Sequence, residues 1–183
     1  MYIARNFYAP WFSWTENNLS DLGGDIGETP IWAAHGVASI LFNCGLTIVG
    51  ILGVVFACGL KNTQRMPSGR LGALLFILDM CALCCVGIFP LTTGVPHWVA
   101  SMSLFLLAPF SLWLLGAGFL DSFEKVWGVF SIIIGAIIIV GLFVLPVLSG
   151  FKGYAIPEII LAIALSVYSI TLGVKLFKQP QQE

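Results

Sequence analysis

The feature that most constrains this chain is a series of long apolar runs joined by short polar links. A helix needs roughly 20 apolar residues to cross a bilayer, and no water is present there to pair with an open backbone. The runs cover residues 31–60, 71–89, 97–120, 126–148 and 157–177. The sequence therefore predicts an all-α integral membrane bundle of about five transmembrane helices.

The polar segments at the two ends of the chain are short. The predicted bundle covers residues 30–178, preceded by an aromatic and acidic extracytoplasmic arm at 1–29 and followed by a cytoplasmic tail at 179–183. Neither end is long enough for a second domain.

Composition agrees with a membrane location and excludes some partners. Hydrophobic residues make up 58% of the chain and charged residues 9%, whereas a soluble domain is about 25% charged. The net charge is −1 and no basic patch is present, which excludes nucleic acid. The partners expected are membrane lipids, with another membrane-protein subunit as the alternative.

The basic residues are distributed unequally between the polar links. One side collects Lys61, Arg65, Arg70, Lys125, Lys175 and Lys178, and the other has only Arg5 and Lys152. Because Lys and Arg are retained in the cytoplasm, the sequence predicts a cell-membrane protein with its amino terminus outside and its carboxyl terminus in the cytoplasm.

One acid lies deep within a predicted span. Asp79 follows Arg70 by nine positions, which places it about 14 Å into the bilayer at 1.5 Å per residue. Asn43 reaches a comparable depth from the other side, and the two are predicted to form an intramembrane polar pair. Either a protonated Asp79 bonds to Asn43 or to a backbone carbonyl and joins two helices, or the acid serves a proton or cation relay.

A second candidate site lies at the outer face. Its residues are Asp21, Asp25, His35, His97 and Glu158. Carboxylates and imidazoles together can bind a metal or act as acid and base, but no fixed metal-binding spacing occurs and the presence of a metal stays open. Three helix amino termini at this face would attract an anionic headgroup as readily as the acids attract a cation, so a lipid headgroup is expected first and a metal second.

Other known chemistry has little support in the sequence. Cys81 and Cys84 form a C-x-x-C, but they lie in the carboxyl-terminal half of a span, where a thiolate is disfavoured. No nucleophile elbow, phosphate-binding loop or dinucleotide fingerprint occurs, and no cofactor is predicted.

Three short motifs resemble one family. They are Asn18-Leu-Ser-Asp-Leu-Gly23, Phe42-Asn-Cys-Gly-Leu46, and Gly87-Ile-Phe-Pro90 followed by His97. In these motifs the chain is similar to an uncharacterised family of prokaryotic multi-pass proteins, domain-of-unknown-function family 998. Members of that family usually have another hydrophobic helix before the first motif, which makes six spans. The resemblance implies a membrane bundle and brings no established activity.

These observations favour a non-enzymatic membrane module that binds a lipid or a partner protein. The first alternative is a lipid-modifying or hydrolytic membrane enzyme that uses the outer acids and histidines. The second is a small transporter built around Asp79.

Overall fold

The computed structural model of the chain describes residues 12–24 and 36–178. Its long helices are α1 (Val37–Thr63), α2 (Pro67–Ile88), α3 (Val95–Asp121), α4 (Lys125–Ser149) and α5 (Ala155–Lys178). Two short 3-10 turns, Leu19–Gly23 and Leu91–Thr93, complete the regular structure, and neither described range contains a strand. The predicted all-α bundle is confirmed.

All five long helices meet the requirements for crossing a membrane. They are 22 to 27 residues long and apolar enough to span. Large apolar side chains face outward, as lipid-facing residues must, including Val55 at 67% exposure and Ile163 at 57%. The chain is thus a multi-pass membrane protein. The helices agree with the predicted spans, except that residues 31–35 of the first span lie outside the described residues and α2 begins earlier, at Pro67.

Successive helices run in opposite directions, so the bundle has two distinct ends. The turn end holds the Leu19–Gly23 turn and the starts of α1, α3 and α5. The basic end holds the α1–α2 and α3–α4 links, the end of α5 and six Lys and Arg residues.

Glycines allow α2 to lie close to both of its sequence neighbours. A Cβ at Gly50 of α1 would lie 2.7 Å from the Cα of Cys84, and one at Gly72 of α2 would lie 2.5 Å from the backbone nitrogen of Leu115. In a bilayer the hydrophobic effect does not drive helices together as it does in water. Small residues stabilise the bundle instead, because they let helix backbones make close van der Waals contact.

An aromatic cluster joins α5 to the rest of the bundle near the basic end. Tyr168 is fully buried, meets the Phe76 ring edge-on at 6.0 Å and stacks on Phe130 at 5.7 Å. Its hydroxyl lies 3.1 Å from the hydroxyl of Ser131, which supplies the polar partner that a buried phenol needs. This cluster therefore fixes one side of α5 to α2 and α4.

We predict that Gly72→Ala destabilises the bundle by about 1–3 kcal/mol, because the new methyl group overpacks the backbone of α3. Gly59→Ala is the matched control, since a Cβ there meets nothing within 4 Å. The free energy of unfolding in detergent measures both. Equal losses at the two positions would contradict the close α2–α3 contact.

Candidate functional site

The Leu19–Gly23 turn is closed by its own polar side chains. Asp21 is 7% exposed, and its Oδ2 accepts hydrogen bonds from the backbone N–H of Asn18 and from Asn17 Nδ2, both at 2.9 Å. Asn18 Nδ2 adds a third bond of 3.3 Å to Oδ1. These bonds occupy Asp21 within its own turn.

The segment before the turn binds the beginning of α5. The N–H of Ala155 donates to the carbonyl of Asn17 at 3.0 Å, and the N–H of Tyr154 donates to Asn18 Oδ1 at 3.1 Å. The first N–H groups of a helix have no partner within the helix. The arm supplies partners here and so fixes the turn to the start of α5.

Glu158 holds the turn from the side of α5. Its Oε2 accepts the backbone N–H of Leu19 at 2.5 Å, and the backbone of Ser20 also bonds to this carboxylate. The side chain lies in the first turn of α5 and is largely buried beneath the arm. It therefore bridges residues far apart in sequence.

Asn43 holds the other end of the turn against α1. This residue is 1% exposed, and its Nδ2 donates to the carbonyl of Gly23 at 3.2 Å. A Cβ on Gly23 would lie 2.5 Å from Asn43 Oδ1, so the contact requires glycine. On α2, a Cβ at Gly87 would lie 2.5 Å from the Asn43 carbonyl oxygen. Residues from all three motifs of the sequence analysis therefore meet at the turn end.

His97 joins the end of α2 to the start of α3. It is 5% exposed, and Nδ1 lies 2.8 Å from the Phe89 carbonyl oxygen. Because a carbonyl only accepts, Nδ1 carries the hydrogen. His97 also interacts electrostatically with Asp21.

Only part of the predicted outer-face site can be located. Asp21, His97 and Glu158 come together at the turn end, whereas Asp25 and His35 lie outside the described residues. In ranges 12–24 and 36–178, no three His, Cys, Asp or Glu side chains are grouped so that they could hold a metal ion. The three located side chains all bond to backbone groups.

The predicted hydrogen bond between Asn43 and Asp79 is wrong. Asn43 bonds to Gly23 instead, and neither carboxyl oxygen of the fully buried Asp79 has a hydrogen-bond partner among the described residues. The helix register explains the difference. Gly53 packs against Met80, so Asp79 lies about ten residues from Asn43 along α1, or about 15 Å.

A large apolar cavity extends from the turn into the bundle. Its volume is about 550 Å³, and α1, α2, α3 and α5 line it. Leu19, Ser20 and Glu158 form its polar end, and Phe56 and Ile170 lie at the far end of its walls. Asp79 and His97 are not among its lining residues.

Comparison with known proteins identifies the family. The model of the family described as "Protein of unknown function (DUF998)" matches residues 1–175. The chain belongs to this family. Comparisons with curated proteins and with solved structures gave no match. Family membership therefore agrees with the multi-pass fold and assigns no activity.

The cavity was not anticipated from the sequence, although α5 carries a signal for it. Glu158, Ala162, Ser166 and Ser169 recur at intervals of three or four and form one small or polar stripe along an apolar helix. All four line the cavity. Such a stripe also occurs where helices pack closely, so the sequence alone does not separate a gap from a tight contact.

We predict that Asp21→Ala opens the turn, because hydrogen bonds to a charged group contribute about 1.5–3 kcal/mol. Amide exchange over residues 18–23 should then accelerate by about tenfold or more. Glu16→Ala is the control, since the Glu16 side chain forms an exposed ion pair with Lys152 at 3.4 Å and contributes little to the turn. Unchanged exchange in Asp21→Ala would show that the side-chain bonds do not hold the turn.

Proposed function

We propose that this chain is a non-enzymatic membrane module that binds one lipid chain in the cavity beside α5. The observation that supports the proposal most strongly is the combination of about 550 Å³ of largely apolar space with a carboxyl group, that of Glu158, at one end. Ligand sites are typically apolar cavities of about 300–1,000 Å³ in which a few polar groups fix orientation. An amphiphile with one apolar chain matches this arrangement.

The position of the opening supports entry from the bilayer. Leu52 of α1 and Ile170 of α5 line the cavity and are 62% and 68% exposed, respectively. α1 packs along α2 and makes little contact with α5, so the cavity opens between α1 and α5 on the lateral surface of the bundle. In a bilayer that surface faces acyl chains.

The length of the cavity also suits a lipid. Its α1 wall runs from Phe42 to Phe56, a rise of fourteen residue steps that corresponds to about 21 Å of helix. The hydrocarbon core is about 30 Å thick, so an extended chain whose headgroup lies at the turn end would reach past the midplane. A compact polar substrate would leave most of this apolar wall uncovered.

The two alternatives have less support. An enzyme would need acids and histidines free to reach a substrate, but Asp21 and His97 are bonded to nearby backbone groups and do not line the cavity. A transporter built around Asp79 would need a polar path to that residue. Asp79 is fully buried and lies outside the cavity lining.

We further propose that the turn end is extracytoplasmic and the basic end cytoplasmic, because six Lys and Arg residues lie at the basic end. In a background without native cysteines, Thr63→Cys and Thr93→Cys probe the two ends. Impermeant maleimide added to intact cells should label only Thr93→Cys. Labelling of Thr63→Cys alone would reverse the orientation.

We predict that Ala162→Trp weakens lipid binding, because Ala162 lines the cavity and an indole there would take up space that the lipid chain needs. Native mass spectrometry of delipidated protein titrated with monoolein should show affinity reduced by about tenfold or more, equivalent to 1.4 kcal/mol.

Ile163→Trp is the matched control for this experiment, because Ile163 is the next residue, is 57% exposed and does not line the cavity. It should bind like the unmodified protein. Equal binding by both variants would mean that the lipid does not occupy the cavity.

A further inference from the structure

The polar end of the cavity has a definite chemical character. Ser20 and Glu158 supply its polar side chains, and the Glu158 carboxylate accepts hydrogen bonds from the backbone of Leu19 and Ser20. A carboxylate has about four lone-pair sites, so two backbone donors leave capacity for a donor from a ligand. This end is therefore suited to accept a hydrogen bond from a headgroup.

No described basic side chain lies at this end of the cavity. Lys152 is the basic residue of the described ranges nearest in sequence to Glu158, but its side chain is 81% exposed and pairs with Glu16. The six other Lys and Arg residues of the described part are at the basic end. An anionic headgroup would thus meet the Glu158 carboxyl group without a described cation to offset it.

The start of α5 is partly occupied by the arm. The sequence predicts that helix amino termini at this end attract an anionic headgroup, but at α5 the arm occupies two of the N–H groups. The N–H groups of Tyr154 and Ala155 already donate to Asn18 and Asn17. A headgroup at the turn end of the cavity would therefore meet the Glu158 carboxylate in the first turn of α5.

We propose that the ligand is a lipid whose headgroup donates a hydrogen bond, either an amine or a hydroxyl, and that Glu158 selects it against anionic lipids. This inference rests on the proposed lipid-binding function and specifies the class of ligand. The bond would form near Ser20, while the apolar chain extends along α1 and α5 toward Phe56 and Ile170. A lipid with an ammonium headgroup should bind most tightly, because charge-assisted hydrogen bonds are roughly twice as strong as neutral ones.

The test compares three probes that share one C18 chain: oleylamine, monoolein and oleic acid. Each is titrated at pH 8 into the delipidated full chain in detergent, and Kd is measured by native mass spectrometry. We expect oleylamine and monoolein to bind about tenfold or more tightly than oleate, which corresponds to 1.4 kcal/mol. Glu158→Gln should reduce the ratio of the oleate Kd to the oleylamine Kd by a similar factor. The amide oxygen can still accept the hydrogen bond from the Leu19 N–H, but the side chain carries no charge.

The possible outcomes separate this inference from the proposed function. If all three probes bind equally, or oleate binds most tightly, the headgroup assignment is overturned while lipid binding stands. If Glu158→Gln remains folded and keeps the selectivity of the unmodified chain, Glu158 is not the selecting residue. If no probe binds, the proposed function fails. Should Glu158→Gln unfold, the comparison of probes on the unmodified chain still decides the headgroup class.

Discussion

A bilayer offers no water to backbone polar groups, and this constraint determines most of the fold. Each crossing must be helical, and helices must associate through close packing rather than through exclusion of water. The contacts at Gly50 and Gly72 satisfy the second requirement for α1, α2 and α3. α5 packs against α4 both at Tyr168 and near Gly141 but makes little contact with α1. The cavity is the space that this uneven packing leaves.

The polar side chains at the turn end chiefly serve the backbone. Asp21 closes the turn, Asn43 holds its last carbonyl, Glu158 holds its first N–H and His97 bonds to a carbonyl at the end of α2. In the sequence, acids and a histidine that are predicted to lie at one face indicate a catalytic or metal site. In the structure the same groups fix an arm across a bundle, and Glu158 alone among these four also borders the cavity.

The sequence predicted the elements well and their mutual positions poorly. Helix existence follows from apolar length, which is a local property, so the five spans were predictable. The Asn43–Asp79 pair failed because the two depths were counted from opposite ends of the bundle, whereas the packing of α1 on α2 places the residues about 15 Å apart along the helix axis. The cavity could not be foreseen for a related reason: the stripe containing Ala162 and Ser166 is compatible with either close packing or a gap. Residues 25–35, which include two predicted site residues, lie outside the described part of the chain.

Under the proposed function, α1 and α5 enclose a lipid chain below the turn. Electron cryomicroscopy of the full chain in lipid nanodiscs, with a fiducial binder to add mass, tests it most directly. We expect elongated density that begins beside Ser20 and Glu158 and continues between the helices toward Ile170. Direct packing of α1 against α5, with no space or density between them, would contradict it.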